Sequence, residues 1–131
     1  MENEKVKYWI DLSDHDLETA SAMLETKRFL YVGFMYHQTV EKILKGYYSL
    51  KFEKFPPYTR DLFRLLNETE LLREITTEQK NFLELLQPMN VQARYPAYKE
   101  KVLKSLNEEK SKNIIFETTE FVKWVKKKLS K

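Results

Sequence analysis

Arg94, Tyr95 and Tyr98 are the residues of this sequence best suited to holding a nucleotide. A guanidinium is a planar fork of donors that matches phosphate oxygens, and a tyrosine ring offers a face for a base to stack on. Pro96 fixes the chain beside them, just beyond an expected helix end. The same residues suit an architectural role, in which Arg94 pairs with a carboxylate of the first or second helix and Tyr95 packs as core. A second set is Gln38, Glu41, Lys42 and Lys45, whose spacing puts them on one helical face. Lys42 and Lys45 can turn that face toward phosphate. Alternatively it is plain surface or a dimer contact, where Glu41 and Lys45 form an i, i+4 pair worth about 0.3–0.5 kcal/mol.

Other chemistries find less support. Asp11, Asp14, His15 and Glu18 share one helical face and carry metal-ligating groups, but a metal site normally draws ligands from more than one element. No metal and no cofactor is expected. His37 lies among Phe34, Tyr36, Tyr47 and Tyr48, which points to a packed, hydrogen-bonded role rather than catalysis. There is no Gly-rich phosphate loop and no signature of Ser/His/Asp catalysis. With 0 Cys, disulfides, thiolate metal sites and a Cys nucleophile are excluded.

The elements that must position these residues are helices. The chain has 131 residues, 42% hydrophobic and 33% charged, which is the balance of a globular protein with one core. With 2 Gly and 4 Pro among abundant Glu, Lys and Leu, an all-α fold is expected throughout residues 1–131, as one domain. The net charge of +3 permits contact with nucleic acid without requiring it. No apolar run approaches the roughly 20 residues of a membrane span, and the polar N-terminal stretch is no signal peptide, so a cytoplasmic location is expected.

The periodicity predicts a first helix over about residues 4 to 27, with Trp9, Leu12, Leu17, Ala20 and Leu24 facing the core. The second runs from about Leu30 to Lys51, with Val32, Met35 or Tyr36, Thr39, Ile43, Tyr47 and Leu50 on its apolar face. Pro56 and Pro57 stop it. Thr59 is the expected N-cap of a short helix from Arg60 to about Glu68. Thr76 and Gln79 fit a capping box, opening a helix that kinks at Pro88 and continues toward Gln92. Ser105 with Glu108 is a second capping-box candidate, starting a last helix with Ile114, Thr118, Phe121, Val125 and Leu129 inward. The sum is an antiparallel bundle of four to five helices.

Three segments stand in a recognisable order: Trp9 to Ala20 followed by Tyr36-His37-Gln38-Thr39-Val40-Glu41-Lys42-Ile43-Leu44-Lys45; Pro56-Pro57-Tyr58-Thr59-Arg60-Asp61-Leu62; and Ala93-Arg94-Tyr95-Pro96 after a leucine-rich helix. Together they resemble the HEPN family (higher eukaryotes and prokaryotes nucleotide-binding). The resemblance departs at Arg60, where the family usually has His, and at Gly46, where it often has Ala. It implies a HEPN-like bundle that forms a homodimer, binds nucleotide or RNA, and works with a separate minimal nucleotidyltransferase, in some pairs as toxin and antitoxin. The ribonuclease members resemble one another in an Arg followed, after four to six residues, by His. None of Arg28, Arg60, Arg64, Arg73 and Arg94 is so followed, and Lys99, Glu100 and Lys101 occupy the positions beyond Arg94. No catalytic residue is therefore expected. The alternatives are a metal-independent ribonuclease toxin using Arg94, and a helical adaptor without nucleotide.

Overall fold

The second helix is the one on which the others pack. The computed structural model describes residues 4–90 and 107–130. Within them the helices are α1 (Glu4–Glu25), α2 (Phe29–Phe52), α3 (Leu62–Glu68), α4 (Thr77–Leu86) and α5 (Glu108–Leu129), with 3-10 turns at Leu71–Arg73 and Gln87–Asn90. No strand occurs among the described residues, and none of these helices is long and apolar enough to cross a membrane. The architecture is an all-α bundle in which α1, α3, α4 and α5 all touch α2.

From Tyr36 to Ser49, α2 is enclosed almost all round. Tyr36, Val40, Ile43, Leu44 and Tyr48 join Leu62, Leu65 and Leu66 of α3, Phe82, Leu83 and Leu86 of α4, and Ile114, Phe121, Val122 and Val125 of α5 in one continuous core. Tyr36 uses its hydroxyl to donate to the Ser111 carbonyl at 2.9 Å, tying the first half of α2 to the start of α5. Burial pushes that hydroxyl's pKa upward, so it stays a donor.

The hairpin of α1 and α2 closes through Thr26–Arg28, with Lys27 in the left-handed region at φ 59° and Arg28 N–H donating to the Met23 carbonyl at 2.9 Å. The two helices then run antiparallel at close range. Ser13, fully buried, donates to the Thr39 carbonyl at 2.8 Å. A Cβ on Gly46 would stand 3.3 Å from the Cβ of Trp9, so glycine is what lets Trp9 lie against α2. Of the expected α1 stripe, Ala20 is fully buried, whereas Trp9, Leu12, Leu17 and Leu24 are half-buried; Val6 and Ser13 fill the deeper positions.

Helix termini depart from expectation in ways local chemistry explains. α2 ends at Phe52, where Glu53 turns left-handed at φ 55° and returns its N–H to the Ser49 carbonyl, three residues before Pro56. The N-cap of α3 is Asp61, not Thr59: its carboxylate accepts from the N–H groups of Phe63 and Arg64, and Thr59 accepts one step earlier, from Asp61 N–H. The Thr76–Gln79 capping box forms as expected. Beyond α4 the chain tightens into the 3-10 turn holding Pro88. Asn107 caps α5 by accepting from Lys110 N–H at 2.8 Å, and Ser105 lies outside the described residues.

Because Asp61 holds the first turn of α3, Asp61→Ala should cost about 1 kcal/mol in urea unfolding, while Thr59→Ala should cost clearly less. Equal losses would return the cap to Thr59.

Candidate functional site

The polar stripe of α2 does not face open solvent. Glu41 and Lys45, at 4% and 6% exposure, are buried, and their 2.9 Å ion pair lies inside the molecule. Gln38 and Lys42 are half-buried. The reading of this stripe as plain surface is thus corrected: α1 and the segment after α2 close over it. Lys42 Nζ donates to Gln38 Oε1 at 2.8 Å and pairs with Asp16 of α1 at 3.3 Å. Lys45 Nζ also sits 5.5 Å from the centre of the Trp9 ring.

Above these residues lies a groove of about 380 Å³. Gln38, Glu41, Lys42 and Lys45 line its floor, Tyr8 and Trp9 of α1 one wall, and Tyr58, Thr59 and Arg60 the other. Three loci distant in the sequence thereby converge on one space. Tyr8, Trp9, Tyr58 and Arg60 were not among the residues singled out for binding from the sequence. The signal that marks Trp9, Tyr58 and Arg60 is that the first segment of the family resemblance begins at Trp9 and the second contains Tyr58 and Arg60; nothing in the sequence marks Tyr8.

Three buried polar atoms at this groove have no hydrogen-bond partner among the described residues: Trp9 Nε1, Gln38 Nε2 and Glu41 Oε1. Two donors and an acceptor are thus left over at one place, whereas the other buried polar groups without such a partner, on His37, Ser49, Ser111 and Thr118, do not line the groove.

The groove's cations differ in kind. Lys42 and Lys45 each already have a carboxylate partner. Arg60 forms no ion pair among the described residues. Its Nη1 donates to the Asn90 carbonyl at 3.1 Å, and its guanidinium carbon lies 5.9 Å from the Phe34 ring centre. Gln87 locks the Arg60 backbone by donating to its carbonyl and accepting from Leu62 N–H. This arginine is therefore exposed, held at its base and without a carboxylate partner among the described residues.

His37 sits behind the groove at 0% exposure. Burial pushes its pKa down to about 4; the charges of Arg60, Lys42 and Lys45 add to the fall, and a polar contact with the Arg60 backbone opposes it. That contact falls short of ordinary hydrogen-bond geometry, as does the 3.7 Å approach of Glu41 Oε1 to Nδ1. The expectation of a packed His37 holds, although not that of a well-formed hydrogen bond.

The other candidate positions divide. Arg94, Tyr95 and Tyr98 lie outside the described residues. Asp14 pairs with Lys126 of α5 at 2.7 Å, and no group of three or more metal-ligating side chains gathers among the described residues.

The HEPN domain family model matches residues 6–128. Among solved structures, the crystal structure of TT1696 from Thermus thermophilus is similar in fold, with a TM-score of 0.79 at 15% identity; the match covers 96% of this chain and 99% of that one. At that identity the likeness concerns the fold alone. No curated protein matches the sequence.

A histidine buried in its neutral form makes the unfolded state the better proton acceptor. Between its ordinary value of 6.5 and about 4, His37 therefore withdraws stability as pH falls, and the contribution is fully present only above 6.5. On lowering the pH from 7 to 5, the native protein should lose about 2 kcal/mol more unfolding free energy than His37→Gln does. Identical losses in the two proteins would mean that His37 keeps an ordinary pKa.

Proposed function

Since this chain belongs to the HEPN domain family, we propose that it is a non-catalytic HEPN domain whose groove between α1, α2 and the Tyr58–Arg60 segment binds nucleotide or RNA. The observation that carries this reading is the convergence at one groove of Arg60, Lys42 and Lys45 with the Tyr8, Trp9 and Tyr58 rings, over buried polar atoms without a partner among the described residues. Phosphate calls for fixed cationic donors and a base calls for an aromatic face; this space offers both. Arg94, Tyr95 and Tyr98 belong to the same proposal on the strength of their chemistry and the family resemblance. The domain acts as a homodimer beside a separate minimal nucleotidyltransferase, in the manner of a toxin–antitoxin pair, and contributes binding surface while the partner carries out the transfer.

Catalysis by this chain is set aside on chemical grounds. His37 is enclosed and uncharged at neutral pH, and tyrosine, with a reference pKa near 10, is a poor base.

Adding AMP or a short RNA to a Trp124→Phe variant should change the fluorescence of Trp9, the remaining one of 2 Trp. Arg94→Ala should weaken binding with helix content unchanged, and Lys42→Gln should weaken it less and reduce its salt dependence by about one ion. Absence of any response at millimolar nucleotide would remove the binding reading.

The purified protein should leave RNA intact. Metal-independent cleavage that disappears in Arg94→Ala would instead make it a ribonuclease. In light scattering at tens of micromolar, the mass should be twice the chain's 15.9 kDa; a mass equal to one chain would exclude the homodimer.

A further inference from the structure

The groove accounts for only part of an unusual surface. Tyr58 is 99% exposed at its rim and Tyr8 53% exposed on the opposite wall. The aromatic surface then continues past the groove to Phe55, 62% exposed, which Lys5 caps with its ammonium 4.8 Å from the ring centre. Lys5 stands one helical turn before Tyr8, so Phe55, Lys5 and Tyr8 adjoin. The result is a track of three exposed rings, with Arg60 near Tyr58 and Lys5 between Tyr8 and Phe55, and neither cation forms an ion pair among the described residues. Keeping such rings in water is costly, and a ligand with successive flat faces and a regularly charged backbone matches them.

We propose that this track binds a single-stranded oligonucleotide, whose bases stack in succession on Tyr58, Tyr8 and Phe55 and whose phosphates are drawn to Arg60 and Lys5. The inference rests on the nucleotide-binding reading of the adjoining groove and extends it to a surface outside the groove, formed by Phe55 and Lys5, that only a strand of unpaired bases would reach. Stacking on projecting rings requires unpaired bases, which excludes a duplex. A protein partner fits less well, because the centres of protein interfaces are depleted of charge, whereas here an ammonium rests directly over a ring. A lone mononucleotide occupies the groove and leaves Phe55 and Lys5 unused.

The test is the binding of UMP and of labelled oligouridylates of increasing length, by fluorescence anisotropy and competition, to the full chain. Affinity should rise with length until the strand spans the track. Phe55→Ala should weaken the oligomer by roughly five- to a hundred-fold and leave UMP unchanged, because Phe55 is not part of the groove. Tyr58→Ala should also weaken the oligomer; both side chains are exposed, so neither truncation opens the core. Competition by oligothymidylate would support stacking that is indifferent to sugar. Binding of RNA without competition by the DNA would support it with a contact to the 2′-hydroxyl. Equal affinity for UMP and long oligomers would overturn the strand while leaving the nucleotide site intact. Equal binding of a duplex, or self-association that Phe55→Ala abolishes and oligomer does not affect, would also overturn it. Failure of UMP and oligomers alike would remove both readings.

Discussion

The burial of a Glu–Lys pair within α2 is the constraint around which this bundle is arranged. A helix covered on nearly every side must take its polar residues inside, where a lone charge is strongly disfavoured. Glu41 and Lys45 meet that demand one helical turn apart, and the Trp9 ring covers the ammonium from α1. Such a pair contributes little net stability against an apolar replacement, but losing one partner leaves the other stranded at a cost of about 3–5 kcal/mol. The pair therefore specifies the packing of α1 on α2 more than it strengthens it. Gly46 and Ser13 belong to the same arrangement, the first by allowing the close approach and the second by bonding across it.

The groove's electrostatics follow from that packing. Lysines that look like phosphate ligands in a linear sequence have their charges answered by Asp16 and Glu41 once α1 is in place. Among the described residues lining the groove, the cation left without a carboxylate is Arg60, carried not by a long helix but by the segment leading into α3 and fastened there by Gln87. It stands where the HEPN resemblance leads one to expect histidine, and the exchange replaces a group that titrates near neutrality with a permanent charge. Glu41 Oε1, Gln38 Nε2 and Trp9 Nε1, at the same groove, are polar capacity left without a partner among the described residues.

Local signals were the most legible. The Thr76–Gln79 capping box and the inward stripe of α5 follow from spacing alone, because both depend on residues within a few turns of one another. The cap of α3 was misassigned by two positions because Thr59 and Asp61 are both good caps in a Pro-rich approach. Both side-chain oxygens do accept backbone N–H bonds; only that of Asp61 reaches the first turn. The reading of α2 as two-faced erred for a different reason. Polarity at positions 38, 41, 42 and 45 resembles a wet face, and only a neighbour's coverage distinguishes a solvated charge from a buried, paired one.

By itself, then, the sequence determined the helical class, the major helices and the family resemblance carried by Trp9 to Lys45 and Pro56 to Leu62, all properties of periodicity, capping chemistry and residue order. Tertiary structure decided which charges are free, that His37 is driven neutral, and that Tyr8, Trp9, Tyr58 and Arg60 share one groove with the α2 stripe. The physical reason is that ionisation, desolvation and convergence depend on what stands opposite a residue in space. In this protein the partners opposite α2 on one side come from 26 residues away, as in Ser13 to Thr39 and Asp16 to Lys42, and from farther still in Trp9 to Lys45. On the other side they come from as many as 75 residues away, as in Tyr36 to Ser111. Local spacing carries no record of contacts at that range.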